Sequence, residues 1–275
     1  SPDQHVHIKQ TPGFNIGAAG QPPGCINSLH THTTAEVFYV FKGKWRFFWG
    51  QSGNAGEVIA EEGDLINIPT GIFRAFENVG SDYGMLMAIL GGDDAGGGVK
   101  WAPKVINDAK DFGLILGEDG LLYDTKKGQS LPNNINPMPV LTDEELKNFP
   151  EITTEDFLNN FFVSSSELHQ KSKNKPAKVI GREAILKDRP GFEVDFITDD
   201  SFLNKTYSTN HHEVNMIMNG EWELQWDSKK TNLGPGDTCL IPPNLDHKLV
   251  PRKIGNASLF RVTNTDDPAG STWLR

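Results

Sequence analysis

Short runs of aromatic and β-branched residues recur along the chain and break at Gly, Pro, Asn or Asp. Glu36-Val37-Phe38-Tyr39-Val40-Phe41 and Val214-Asn215-Met216-Ile217-Met218 each end near a Lys-Gly or Asn-Gly turn, a hairpin signal. Trp45–Trp49, Asp64–Pro69, Met85–Leu90 and Leu259–Thr263 are further strand-sized runs. Many short strands separated by turn residues predict a sandwich or small barrel. The middle of the chain reads differently. Lys104 to Phe112 and Glu155 to Phe162 have helical spacing. Thr142-Asp143-Glu144-Glu145-Leu146 has the form of a capping box, with Thr142 at N-cap and Glu145 at N3. Gly128 to Pro139 reads as loop, and the polar stretch from Ser164 to Lys178 as a surface run.

The β-rich blocks occur twice, in the same order and at nearly constant offset. Gly43-Lys44-Trp45-Arg46-Phe47-Phe48-Trp49 matches Gly220-Glu221-Trp222-Glu223-Leu224-Gln225-Trp226. Gly63-Asp64 with Ile68-Pro69 matches Gly236-Asp237 with Ile241-Pro242, and Asp93-Asp94 matches Asp266-Asp267. Such self-similarity marks an internal duplication. The predicted organisation is one barrel over residues 1–100, a linker with short helices over 101–170, and a second barrel over 171–275.

Within the first copy stand Gly24, His30-Thr31-His32, Glu36 and Gly43, followed by Gly63, Pro69-Thr70-Gly71, Arg74 and Asn78. These residues resemble the two signature motifs of the cupin superfamily, G-x5-H-x-H-x(3,4)-E-x6-G and G-x5-P-x-G-x2-H-x3-N. Only the His of the second motif differs, being Arg74. The second copy keeps Glu213, Gly220, Gly236, Pro242 and His247. The resemblance implies an all-β bicupin: two double-stranded β-helix (jelly-roll) barrels from an internal duplication, joined by a partly helical linker. Cupin sheets pair edge to edge, so it also implies a homo-oligomer.

On a strand, residues two apart share a face, which places His30, His32 and Glu36 together. Two imidazoles and a carboxylate suit one divalent transition metal: Fe, Mn, Ni or Zn. Arg74 stands where the resemblance implies a third His ligand, and a guanidinium cannot ligate a cation. Two outcomes follow. In one, His30, His32 and Glu36 hold a metal and Arg74 clamps a substrate carboxylate. In the other, the guanidinium takes the metal's place against Glu36. In the second copy, alignment on Glu213 puts Tyr207 and Thr209 where His30 and His32 stand. Either His211, Glu213 and His247 form a metal site, or Tyr207, His211 and His247 hydrogen-bond to Glu213 in a polar pocket. His5-Val6-His7 is a further His pair near the start. Trp45, Trp49, Trp222 and Trp226 read as core or sheet-face packing.

Composition narrows the partners. The 275 residues carry 26 basic and 36 acidic side chains, a formal charge of −10 with no basic cluster, so neither nucleic acid nor a membrane surface is an expected partner. No apolar run is long enough to span a bilayer. Two distant cysteines, Cys25 and Cys239, form no disulfide framework or metal spacing. The sequence as given opens Ser1-Pro2-Asp3 without an apolar leader, so a cytoplasmic location is the expectation. No Gly-x-Ser-x-Gly elbow or reactive-cysteine signature is present. Three functions remain: a metal-dependent dioxygenase on a small organic, aromatic or other, acid; a non-catalytic small-molecule-binding bicupin; and a metal-independent isomerase using His and Tyr as acid and base.

Overall fold

A computed structural model describes residues 8, 11–92, 99–187, 191–202, 204–253 and 255–264. His5, His7, Asp93-Asp94 and Asp266-Asp267 lie outside the described residues. The first copy forms β1 (Phe14–Gln21), β2 (Ile26–Thr31), β3 (Glu36–Lys42), β4 (Trp45–Trp49), β5 (Gly56–Ala60), β6 (Leu65–Ile68), β7 (Arg74–Asn78) and β8 (Gly84–Gly91). The middle adds β9 (Lys100–Trp101), α1 (Pro103–Asp111), β10 (Leu114–Leu116), β11 (Leu122–Asp124), α2 (Asp143–Leu146), α3 (Thr154–Asn160), β12 (Phe162–Val163) and α4 (Ser165–Lys171). The second copy forms β13 (Ala177–Ile180), β14 (Phe192–Thr198), β15 (Glu213–Asn219), β16 (Trp222–Trp226), β17 (Lys229–Leu233), β18 (Thr238–Ile241), β19 (His247–Pro251) and β20 (Ser258–Asn264).

In the first barrel the sheet β1-β8-β3-β6-β12 faces the sheet β5-β4-β7-β2-β9. In the second, β13-β14-β20-β15-β18 faces β17-β16-β19. The register proves the duplication strand by strand. Glu36 stands opposite Ile68 and Leu90, as Glu213 stands opposite Ile241 and Thr263. His30 stands opposite Arg74, as Tyr207 stands opposite His247.

Alternation decides which face each side chain takes. On β4, Trp45, Phe47 and Trp49 are buried inside the first barrel, beside Phe38, Ile66 and Phe76. The long central strands are apolar on both faces because both faces are covered. Val37 and Tyr39 of β3 leave the barrel interior and join Val214, Met216, Phe260 and Val262 in one core shared by the two barrels. Tyr39 packs edge-on against Phe260 with ring centroids 5.0 Å apart. The turn into β16 requires Gly220, whose φ is +70° and whose added Cβ would lie 2.9 Å from the Ala257 backbone.

The helices form where the spacing predicted, and Thr142 and Glu145 complete the capping box of α2. The linker does not run free. Trp49 stacks on Phe157 of α3 at 4.0 Å and donates its indole N–H to the Ile152 carbonyl at 2.9 Å. β12 extends the first barrel's sheet by pairing with β6. The Ser164–Lys178 stretch, read as a surface run, contains α4, capped by the Ser164 hydroxyl accepting from Glu167 N–H. Its Leu168 is the one buried apolar side chain of that helix and sits in the shared core, too brief a signal to mark a helix in sequence.

Candidate functional site

The first barrel brings its four motif residues together at the end of β2, the start of β3 and the start of β7. His30 Nδ1 lies 2.7 Å from the Ser28 carbonyl, and His32 Nδ1 lies 2.7 Å from the Thr34 carbonyl. A carbonyl only accepts, so each Nδ1 carries a proton and each Nε2 points into the barrel toward the other motif residues. The Arg74 guanidinium fills the space between them. It donates from Nη2 to Glu36 Oε2 at 2.8 Å, from Nε to the same oxygen at 3.2 Å, and from Nη1 to the His30 carbonyl at 3.3 Å. Nη2 also meets His32 Nε2 directly. Arg74 is 2% exposed. Burial opposes ionisation of Glu36, but the charge of Arg74, together with His32 and the Arg74 hydrogen bond, outweighs it and holds the carboxyl down at about 2. Burial, reinforced by Arg74, pushes His30 down to about 4, so the ring is neutral. Its ring lies beside Trp101 of β9, with centroids 5.5 Å apart.

The second barrel builds a different centre at the same register. Glu213 is fully buried, and three donors converge on its Oε1. The Tyr207 hydroxyl is at 2.8 Å, Asn215 Nδ2 at 2.7 Å and His247 Nε2 at 3.1 Å. His247 Nδ1 faces the Leu245 carbonyl at 3.0 Å. With an acceptor at each ring nitrogen, His247 is held as imidazolium. Burial disfavours that charge, yet the bonds to Glu213 and Leu245 raise its pKa above the ordinary value. Burial likewise opposes the Glu213 carboxylate, and the His247 bond lowers its pKa regardless. Tyr207 packs against His247 at 4.3 Å, and the Arg261 guanidinium lies 5.5 Å from the Tyr207 ring centre while pairing with Asp195 at 2.6 Å. Glu213 Oε2 and Asn215 Oδ1 are buried without a hydrogen-bond partner.

One layer deeper the barrels diverge. Where the first barrel pairs Phe38 with Ala88, the second pairs Asn215 with Arg261. At this layer the first barrel is therefore apolar and the second polar. His211 does not join this centre through a hydrogen bond to Glu213. Its backbone N–H and carbonyl both engage the Thr209 hydroxyl. Asn215, Arg261 and Asp195 belong to this centre although no motif marks them in the sequence. Asn215 shares the Glu213 face two residues on, and Arg261 is a lone charge in an apolar run, so both left a trace.

Neither donor set fits a dication as it stands. In the first barrel Arg74 holds the Glu36 oxygen and the His32 lone pair. In the second, one carboxylate and one imidazole are bonded to each other. Among the described residues no three His, Cys, Asp or Glu side chains are arranged to hold a metal ion. Trp45, Trp49 and Trp222 are buried packing residues and Trp226 is half-buried, as the alternation implied. No described helix is long and apolar enough to cross a membrane.

Two jelly-roll barrels related by duplication, each with its motif glutamate at the same register, define a bicupin. Residues 20–90 match the cupin domain family. The fold over the whole chain is similar to salicylate 1,2-dioxygenase from Pseudaminobacter salicylatoxidans, at 14% identity and a TM-score of 0.55, covering 92% of this chain and 71% of that one. It is also similar to oxalate decarboxylase from Bacillus subtilis, at 15% identity and a TM-score of 0.51, covering 96% and 72%. No curated protein matches the sequence. The first barrel thus matches the cupin domain, and the whole chain has the two-barrel fold of these proteins.

Proposed function

We propose that this bicupin takes a small hydroxylated organic molecule into its second barrel and acts on it by proton transfer, with Glu213, His247 and Tyr207 as the working groups. The observation that carries this reading is the convergence of three donors on Glu213 Oε1, which leaves the buried Oε2 and the neighbouring Asn215 Oδ1 as unsatisfied acceptors. Unpaired buried acceptors are costly, and a ligand hydroxyl satisfies them. On an α-hydroxy carbonyl compound, Glu213 Oε2 takes the proton from the hydroxyl-bearing carbon while the His247 imidazolium protonates the carbonyl oxygen. The enediol then returns its second hydroxyl proton to His247 as the carboxyl proton goes to the former carbonyl carbon. The result is an isomerisation with no net proton change. Salicylate and oxalate, named for the two similar folds, are likewise small polar molecules.

A second reading places a dioxygenase on a small organic acid in the first barrel, with one Fe, Mn, Ni or Zn on His30, His32 and Glu36. It is favoured by the anchoring of both Nδ1 atoms on backbone carbonyls, which aims both Nε2 lone pairs as ligands are aimed. It requires Arg74 to leave Glu36. The two are separated by a thermal-shift and NMR screen of small hydroxy-carbonyl compounds and hydroxy acids, with and without chelator. Stabilisation that persists in chelator and is lost in Glu213→Gln and Tyr207→Phe supports the second-barrel centre. Stabilisation abolished by chelator or by His30→Ala overturns it.

A further inference from the structure

We propose that Arg74 is a built-in cation that replaces a metal in the first barrel, making that barrel a metal-free scaffold from which a single substitution would regenerate a metal centre. The inference concerns the first barrel alone and does not rest on the second-barrel reading.

The argument is one of shared atoms. A dication at this position would need the Glu36 oxygen and the His32 Nε2 lone pair, and both already receive N–H bonds from Nη2 of Arg74. Arginine does not surrender its proton inside proteins, so the guanidinium and a dication would be two cations competing for one set of donors. Retreat is closed off. Arg74 lies on β7 between β4 and β2, paired across the sheet with Trp49 on one side and His30 on the other. Phe73 beside it is fully buried, and Nη1 is tied to the His30 carbonyl. Charge is already balanced there. Glu36 is the carboxylate that meets Arg74, and both imidazoles turn Nδ1 to a backbone carbonyl.

The second barrel supplies an internal comparison. At the register of Arg74 it has His247, and this too bonds the motif glutamate directly. Both barrels thus join the same two positions by a cation–carboxylate contact, with a guanidinium in one and an imidazolium in the other. The first barrel differs in keeping two further imidazoles beside that contact, with their Nδ1 anchors intact. Those anchors orient rings for ligation, so the donors become available once the guanidinium is removed.

The test compares wild type, His30→Ala, Glu36→Gln, Arg74→His and Arg74→His/His32→Ala. Metal per chain is measured by elemental analysis after growth with iron, manganese, nickel and zinc, and Co(II) spectra are recorded after reconstitution. The proposal expects wild type, His30→Ala and Glu36→Gln to share one low metal content. It expects Arg74→His to rise at least about tenfold toward one equivalent, with visible Co(II) ligand-field bands that the His32→Ala change removes. Wild type carrying about one equivalent that falls in His30→Ala or Glu36→Gln overturns it. A folded Arg74→His that gains no metal overturns it as well, since the guanidinium would then not be what excludes the ion. Should Arg74→His fail to fold by circular dichroism, the first three proteins decide the matter alone. Loss of the second-barrel ligand site leaves each of these results unchanged.

Discussion

Truncating Arg74 to Met strands the Glu36 carboxylate in the first barrel without its counter-charge. Removing one partner of a buried pair costs about 3–5 kcal/mol, whereas replacing both with uncharged groups is far milder. Urea unfolding should therefore show Arg74→Met losing about 3 kcal/mol or more, with Arg74→Met/Glu36→Gln recovering most of it. A double variant as unstable as the single one would refute the charge-balance account. In the second barrel the sign of the pH effect follows from the raised pKa of His247 and the lowered pKa of Glu213. The imidazolium contribution is fully present below the ordinary histidine value of 6.5 and fades as pH rises through the higher folded value. The carboxylate contribution is fully present above the ordinary value of 4.5 and fades as pH falls through the lower folded value. Denaturation of wild type and His247→Asn across this range should converge on the alkaline side and separate between 4.5 and 6.5. Equal separation at every pH would show that His247 stays neutral. At this scale the sequence was informative where a motif sets spacing. His30, His32, Glu36 and Arg74 do meet, but not as neighbours on one strand: His30 lies near the end of β2, His32 follows it, Glu36 opens β3 in the facing sheet, and β7 brings Arg74 beside His30. The sequence marked Arg261 only as a lone charge in an apolar run and gave no sign of its partner Asp195, which lies far away in the chain and meets it only when β14 pairs with β20.

At the scale of elements, the linker owes its shape to the barrel it leans on. Phe157 is fully buried because Trp49 stacks on it, and α3 is short and carries no other buried residue. Phe157→Ala removes that contact and should cost about 3–5 kcal/mol by denaturant unfolding, with exchange protection of the helix amides lost first. If the amides of α3 stay as protected as those of β4, the stack is not what fixes the helix. Gly220→Ala is a second local test. A side chain at φ +70° collides with Ala257 at 2.9 Å, so the turn into β16 must open, at a cost above the roughly 1 kcal/mol of the conformational term alone. Strand positions were legible because alternation and turn residues coincide. α4 was not, since one apolar residue in a short polar segment leaves no periodicity to find.

Over the whole molecule, the two barrels are bound by a core that belongs to both. Val37, Tyr39 and Met87 from one copy pack with Val214, Met216, Phe260 and Val262 from the other. Phe260→Ala should therefore lower a single calorimetric transition for the entire chain, by a loss of about 3–5 kcal/mol. Two transitions, with only one displaced, would show that the barrels unfold separately.

Sequence by itself determined the duplication, the all-β class, the short helices of the linker and the identity of the motif residues. All of these depend on short-range spacing: alternation along strands, caps at helix starts, glycines at turns. Only the tertiary structure decided what the motif residues do. The guanidinium of Arg74 settles on Glu36 and His32, three donors settle on one oxygen of Glu213, and the layer beside that glutamate is polar where its counterpart is Phe38 and Ala88. Those outcomes depend on which strands lie side by side and on how buried charges find partners away from water, and no spacing along one strand encodes either.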